Sequence, residues 1–237
     1  MCITVVYDNN PYKQGLETGW GFSAFITGLE KTILFDSGQD RSLLNNMEQL
    51  EIEPDSVDIV ILSHIHPDHT GGLGGFLEKN PKMVVYLPKS FPRKFKDNVQ
   101  GQGAEIVEIK KPMKICEDVY STGQLGKWIR EQSLIIQTDK GPILITGCAH
   151  PGIVNIVDAA KDLIKGNILL VMGGFHLEWA TKAKIEKIIS AFKQWNVLNV
   201  GPCHCTGDKA RGLFEKHFGS NYISIGVGKV ITLADLQ

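Results

Sequence analysis

Short apolar runs rich in β-branched residues follow one another along the first half of the chain and constrain its fold most strongly. Six of these runs have the length and composition of strands: residues 3–7, 21–26, 32–35, 57–62, 83–87 and 105–109. A helical pattern over residues 41–50 interrupts them. In the second half, strand candidates at residues 134–138, 143–146, 168–172 and 198–200 alternate with helix candidates at residues 152–164, 182–195 and 209–218. This order predicts an α/β (α+β) fold in which packed sheets are covered by helices.

The chain of 237 residues contains no repeat, low-complexity segment or Pro/Gly/Ser-rich linker, which favours a single domain over residues 1–237. A net charge of −1 gives no reason to expect nucleic acid or an anionic membrane as a partner. The first ten residues look like a strand rather than a signal peptide. Five cysteines, an odd number thinly spread, argue against a disulfide scaffold and favour a reducing, cytoplasmic setting. The oligomeric state stays open.

Histidines are concentrated where apolar strands give way to loops. Residues 62–72 read LSHIHPDHTGG, and later histidines stand in TGCAHPG, MGGFHL and GPCHCTG. On an extended backbone His64 and His66 point to one side, and a turn after Pro67 lets Asp68 and His69 reach a second centre. Neutral imidazole and carboxylate groups suit zinc and similar divalent ions. These stretches therefore predict a metal site.

The spacing H-x-H-x-D-H followed by Thr-Gly-Gly resembles the metallo-β-lactamase superfamily, and the resemblance runs through the whole chain. It implies a four-layer αββα sandwich, with two mixed sheets face to face and helices outside. By the same resemblance, His64, His66 and His150 hold one divalent ion, and Asp68, His69 and His204 hold the other. Zn²⁺ is the expected metal, with Mn²⁺ and Fe²⁺ as alternatives. The resemblance also implies a supporting role for Asp36 in ILFDSG, which would orient the ligand loop, and for Asp8.

One region departs from the superfamily pattern. Many hydrolases of this superfamily carry a bridging aspartate at the end of a strand where this chain reads ILLVMGGFHLEW, with His176 and no aspartate. That pattern, with TGCAHPGIVNI and PCHCTG, resembles a branch of metal-dependent hydrolases related to an archaeal dihydropterin synthase. For His176 the sequence leaves four roles open: a metal ligand, a general acid, a donor to a substrate phosphate, or a structural residue.

The chemistry of such a centre follows from its charge. Two divalent ions lower the pKa of bound water from ~15.7 to about 7, which makes a nucleophile at neutral pH. With Asp68 as the only direct carboxylate ligand, the surplus positive charge favours a small anionic substrate, phosphorylated or carboxylated. We therefore interpret Asp68 and His176 as the catalytic candidates.

Four further side chains are candidate substrate contacts. Lys89 and Arg93 lie in the basic stretch PKSFPRKFKDN, which is either a solvated surface loop or a cap that lends cations to the substrate. Trp20 and Trp179 are candidates for an aromatic wall, although core packing or surface exposure explains them as well. Cys203 and Cys205 flank His204, and on an extended backbone both would point away from the metal as buried thiols.

Three functions remain after this reading of the sequence. The first is a hydrolase with a dinuclear metal centre. The second is a transferase of the dihydropterin-synthase type, which displaces diphosphate. The third is a non-hydrolytic redox or metal-binding protein on the same fold; His66 argues against it, because the superfamily's diiron redox members carry glutamate at that position.

Overall fold

The computed structural model describes residues 1–164 and 166–236. They form two compact units, each with one mixed sheet and its own helices. The first unit comprises Met1–Lys110 and Gly226–Thr232, and the second begins at Lys111, continues to Ile225 and resumes at Leu233.

The sheet of the first unit has seven strands. In chain order they are β1 (Cys2–Asp8), β2 (Phe22–Thr27), β3 (Ile33–Phe35), β4 (Ile59–Ile61), β5 (Val84–Pro88), β6 (Glu105–Ile109) and β13 (Val230–Thr232). Their spatial order is β13-β1-β2-β3-β4-β5-β6. Pairing is antiparallel from β13 to β3 and parallel from β3 to β6. Because neighbouring parallel strands end at the same edge of a sheet, the residues that follow β3 and β4 lie side by side.

Four helices belong to the first unit: α1 (Ser42–Gln49), α2 (Pro67–Thr70), α3 (Leu73–Lys79) and α4 (Arg93–Gly101). Leu43 and Met47 of α1 and Phe76 of α3 are fully buried in one apolar cluster with Leu34 and Val60 of the sheet. Strands β3 and β4 are buried along their whole length. This burial explains why their sequences are continuously apolar instead of alternating.

The sheet of the second unit has six strands: β7 (Met113–Cys116), β8 (Val119–Ser121), β9 (Leu134–Ile136), β10 (Ile143–Thr146), β11 (Leu170–Gly174) and β12 (Asn199–Cys203). Their spatial order is β12-β11-β10-β9-β8-β7, with β10, β11 and β12 parallel and the others antiparallel. The carboxyl ends of β10, β11 and β12 therefore share one edge, where the histidine-containing loops begin.

Three helices accompany this second sheet: α5 (Ile153–Lys161), α6 (Lys182–Gln194) and α7 (Asp208–Phe218). Their apolar faces meet in a second cluster, in which the rings of Phe175, Phe192 and Phe214 pack edge-to-face or tilted with centroids 5.5–6.0 Å apart. Thr181 caps α6 by accepting a hydrogen bond from the Lys184 backbone N–H. The spacing of apolar residues predicted these three helices within a few residues at each end.

The structure corrects the sequence prediction in one basic stretch. Residues 88–98 are not a simple surface loop, because α4 begins at Arg93 after Pro92. Phe95 and Val99, one helical turn apart, pack against the core of the first unit and stabilise this helix despite its basic surface. The hairpin β7–β8 is not among the predicted strands, because β7 is largely exposed and lacks a clear apolar pattern.

Candidate metal centre

The loop after β4 brings four ligand-type side chains together in the first unit. His64 and His69 are fully buried, and their ring centroids lie 4.2 Å apart. The ring of His66 lies 4.7 Å from that of His64. Pro67 occupies the first position of α2, where its fixed φ favours the start of a helix, so Asp68 and His69 lie on the first turn. One carboxylate oxygen of Asp68 lies 3.6 Å from Nε2 of His69.

Asp36 organises this loop from the end of β3. Its carboxylate accepts hydrogen bonds from the backbone N–H of Ser63 (2.6 Å), from the Ser63 hydroxyl (2.7 Å) and from Nδ1 of His69 (2.7 Å). Its backbone has a φ of 57°, a left-handed conformation that aspartate tolerates better than most residues. Asp36 therefore links the end of β3 to the loop that carries His64 and His69, and its role in supporting metal ligands stays a prediction.

This network determines the tautomer of two imidazoles in their neutral form. The Ser63 hydroxyl has one proton, and it donates this proton to Asp36. In the 2.8 Å contact between Ser63 and His64, the hydroxyl oxygen is therefore the acceptor and Nδ1 of His64 is the donor. His69 likewise donates its Nδ1 proton to Asp36. In both rings Nε2 then carries a lone pair, which is the form that ligates a metal. These donors fit a divalent ion.

Replacing Asp36 by asparagine is expected to weaken zinc binding by roughly 10- to 100-fold, the usual effect of losing a carboxylate that orients a ligating histidine. The amide of asparagine cannot accept all three hydrogen bonds, so His69 loses its fixed tautomer. Zinc affinity measured by competition with a chromophoric chelator checks this prediction. The control is Asp97→Asn on the exposed face of α4. An Asp36→Asn protein that binds zinc like the wild type would show that the network does not support the ligands.

In the second unit, Glu131 holds the loop that carries His150. Its fully buried carboxylate accepts hydrogen bonds from the Thr146 hydroxyl and from the backbone N–H groups of Cys148 and Ala149, each at 2.9 Å, and of His150 at 2.8 Å. Burial raises the pKa of Glu131 above its ordinary value, and these four donors oppose that rise. A role for Glu131 does not follow from the local sequence, because the residues that it binds lie 15–19 positions further along the chain.

A Glu131→Gln variant is expected to lose about 1–3 kcal/mol of stability and to bind zinc more weakly, because buried donors lose their acceptor. One carboxylate oxygen serves three donors and the other serves only the His150 N–H. If the amide oxygen of glutamine takes the place of the carboxylate oxygen that serves three donors, the NH₂ group of glutamine faces the His150 N–H. Two donors then face each other, and this hydrogen bond is lost. Denaturant unfolding and chelator competition measure both effects, with exposed Glu215→Gln as the control. Wild-type values in both assays would contradict the role.

His176 lies in a cluster with two thiols in the second unit. Its ring nitrogen and the sulfur atoms of Cys148 and Cys205 lie within 4.8 Å of one another, and the two sulfurs are 3.3 Å apart. A hydrogen bond with Cys205 raises the pKa of His176, although burial alone would lower it. The ring centroid of His176 is 4.6 Å from that of His150. His176 therefore stands beside a candidate ligand and is more readily cationic near neutral pH than an ordinary histidine.

The position of Cys205 corrects the sequence interpretation. His204 has a φ of 47° and begins a short 3-10 helix, so the backbone is not extended there. As a result Cys205 reaches Cys148 and His176, while Cys203 ends β12; both cysteines are buried, as expected. Burial raises the pKa of the Cys205 thiol, but hydrogen bonds with Cys148 and His176 outweigh it and bring the pKa below its usual range.

The remaining candidate residues differ in exposure. Asp8 is fully buried at the end of β1 and accepts hydrogen bonds from the backbone and side chain of Asn10 at 2.7 and 2.5 Å, so a turn-forming role is visible. Trp20 is 45% exposed and Trp179 is 92% exposed, which leaves both accessible to a ligand.

The two basic candidates already have acidic neighbours in the first unit. Lys89 lies 3.8 Å from Glu108, and Arg93 lies 3.7 Å from Asp97. These are exposed pairs of small energetic value, which a substrate phosphate could displace. Within the described residues, no helix has the length and apolar character needed to cross a membrane.

Comparison with known proteins agrees with this geometry. The family model of the metallo-beta-lactamase superfamily matches residues 21–179. The 7,8-dihydropterin-6-methyl-4-(beta-D-ribofuranosyl)-aminobenzene-5'-phosphate synthase of Methanocaldococcus jannaschii is 30% identical, over 96% of this chain and 95% of its own. An uncharacterized protein of the same organism is 32% identical over 97% of this chain and 99% of its own.

Among solved structures, Tm1679, a metal-dependent hydrolase of the beta-lactamase superfamily, superposes with a TM-score of 0.83. It is 29% identical and covers 98% of this chain and 99% of its own. The chain belongs to the metallo-β-lactamase superfamily, and the predicted fold of this superfamily, with two mixed sheets flanked by helices, is confirmed. Members of this superfamily bind divalent metal ions. Membership of the superfamily and the similarity to a synthase support an enzymatic function for this chain.

Proposed function

We propose that this protein is a hydrolase with a dinuclear centre, most simply of zinc, that acts on a small phosphorylated or carboxylated molecule in the cytoplasm. His64, His66 and His150 are the proposed ligands of one ion, and Asp68, His69 and His204 those of the other. The order of the family motifs along the chain supports these two sets. The proposal includes no nucleic acid or membrane partner.

The observation that carries the proposal is the buried network of Asp36, Ser63, His64 and His69. It fixes two imidazoles in the tautomer that leaves Nε2 available, at hydrogen-bond distances of 2.6–2.8 Å. A protein without a metal at this position has no evident reason to bury three polar side chains and a carboxylate in this form.

The catalytic roles follow from charge and position. Divalent ions bound by these ligands would supply the Lewis acidity that makes water nucleophilic near neutral pH. Asp68 would then orient that water through its carboxylate, beside His69 Nε2. His176, with a raised pKa, would donate a proton or a charged hydrogen bond to the anionic or leaving group of the substrate.

A His176 variant distinguishes a proton donor to the substrate from a metal ligand. Replacing His176 by alanine is expected to lower kcat/KM by about 10²–10⁴, the usual range for a positioned proton donor, with metal content unchanged. Steady-state kinetics and elemental analysis of the same preparation measure the two quantities. If the variant instead loses a metal ion, His176 acts with Cys148 and Cys205 as a ligand, and its proposed contact with substrate is wrong.

A transferase reaction is the second candidate function. The identity of 30% over nearly the full length of the M. jannaschii synthase favours it. In this alternative the same ligands would hold metals that stabilise a departing diphosphate, and an amine or ring carbon of a second substrate would replace water.

A substrate panel distinguishes the two functions. The zinc-loaded protein is incubated in ¹⁸O-labelled water with phosphomonoesters, phosphodiesters, lactones, thioesters and a pterin-methyl diphosphate, with and without an aminobenzene acceptor. Hydrolysis predicts one ¹⁸O atom in the product without any acceptor. Product that forms only with the acceptor and carries no ¹⁸O would overturn the hydrolase proposal in favour of the transferase.

A further inference from the structure

A cavity of about 600 Å³ opens beside His150 and lies entirely within the second unit. One wall is the segment Leu125–Ile129, and the other lining residues are His150, Pro151 and Asn155. Its volume falls within the usual range of about 300–1,000 Å³ for small-molecule sites.

The segment that forms the first wall is held in a fixed conformation. The backbones of Leu125 and Glu131 exchange two hydrogen bonds, 2.8 and 3.1 Å long, and close a tight loop. Gly126 has a φ of 88°, and a Cβ atom there would come within 2.5 Å of the Ile129 carbonyl oxygen, so this turn requires glycine. Since Glu131 also accepts the His150 N–H, one hydrogen-bonded unit positions both the wall and a proposed metal ligand.

The tip of this loop carries an exposed aromatic ring and a cation. Trp128 is 99% exposed, so its large apolar surface contributes nothing to the core. Lys127, next to it, is also exposed. Among the other lining residues, the Asn155 amide donates to the Pro151 carbonyl at 2.7 Å, which restrains the Asn155 side chain. An indole face beside an ammonium group suits a flat ring that bears a negative charge.

We propose that this cavity is the substrate-binding pocket, that it takes an aromatic or heteroaromatic anion, and that Trp128 and Lys127 are its specificity-determining residues. The ring stacks on Trp128, and the anionic group pairs with the neighbouring Lys127. This inference rests on the proposed function for the identity of the reacting site, but it makes a claim about binding that can be measured without turnover.

Equilibrium binding to the zinc-loaded protein tests the pocket. The probes are pterin-6-carboxylate and 4-aminobenzoate, with cyclohexanecarboxylate as the non-aromatic match and inorganic phosphate as the bare anion. We expect the two aromatic anions to bind more tightly than cyclohexanecarboxylate or inorganic phosphate. Trp128→Ala should weaken their binding by about 5- to 100-fold, the range seen when a stacking aromatic is removed, whereas Trp128→Phe should retain most of it. Lys127→Gln should weaken the binding of the anions but not the binding of the neutral amide of the same ring.

Two variants at residues that do not line the cavity serve as controls in the second unit. Trp195→Phe, at a partly buried residue that follows α6, and Lys216→Gln, at an exposed residue of α7, should bind all probes like the wild type. Equal affinity of wild type and Trp128→Ala for the aromatic anions, or no preference of the wild type for them, would overturn the inference. So would a dimer of the wild type that Trp128→Ala dissociates without a change in ligand binding, because Trp128 would then be a self-association contact. If the preference depends on Trp128 but no probe or panel substrate is hydrolysed, the pocket stands and the hydrolase proposal fails.

Discussion

Replacing His64 and His66 together by alanine is expected to abolish hydrolysis and to remove the more tightly bound metal ion. The two histidines supply two of the three imidazole ligands that we propose for this ion, and a single remaining imidazole cannot retain it. The fold should persist, because the ligand loop extends from a sheet whose strands β3, β4 and β5 are paired and buried independently of it.

Elemental analysis of protein purified without chelator, paired with a circular dichroism spectrum, measures this effect. The matched control is His217→Ala, because His217 is an exposed histidine on α7. Wild-type metal content in the folded double variant would refute the ligand assignment, whatever the activity.

Asp68→Asn is the second change with a large expected effect. Asparagine keeps the size of the side chain and much of its hydrogen bonding but removes the charge, so it isolates the electrostatic role of the carboxylate. Loss of one such oriented contact typically lowers the rate by about 10²–10³. We expect a reduction of that size in kcat, together with weaker binding of the second ion, because Asp68 is the only carboxylate among the six proposed ligands.

The measurement is kcat at saturating zinc, which separates lost chemistry from lost metal. Asp55→Asn, an exposed aspartate in the same unit, is the control. If excess zinc restores the wild-type kcat, Asp68 only helps to bind metal and has no part in orienting water.

Much of this molecule was predictable from its sequence, because the signals are local. The apolar runs of β3 and β4 are continuous, as expected for buried parallel strands, and parallel pairing alone places Asp36 beside the histidine loop. The H-x-H-x-D-H spacing likewise acts within a single loop and one helical turn. These features need no knowledge of distant contacts.

The residues that the sequence did not reveal depend on distant or unusual backbone geometry. Glu131 binds the His150 loop only because β9 and β10 are neighbours, and this role cannot be read from the sequence alone. Cys205 turns toward His176 because His204 has a positive φ. A positive φ at a residue other than glycine cannot be predicted from the residue type. Trp128 becomes a candidate for binding only because a closed loop places it in the lining of a cavity.

The most direct test of the central claim is a zinc titration of metal-free protein, in which hydrolysis of the best panel substrate and bound zinc are recorded at each point. We expect no turnover without metal, and a rate that rises with occupancy and levels off when about two ions are bound per chain. Turnover by the metal-free protein, or a rate independent of bound zinc, would contradict a water-activating metal centre.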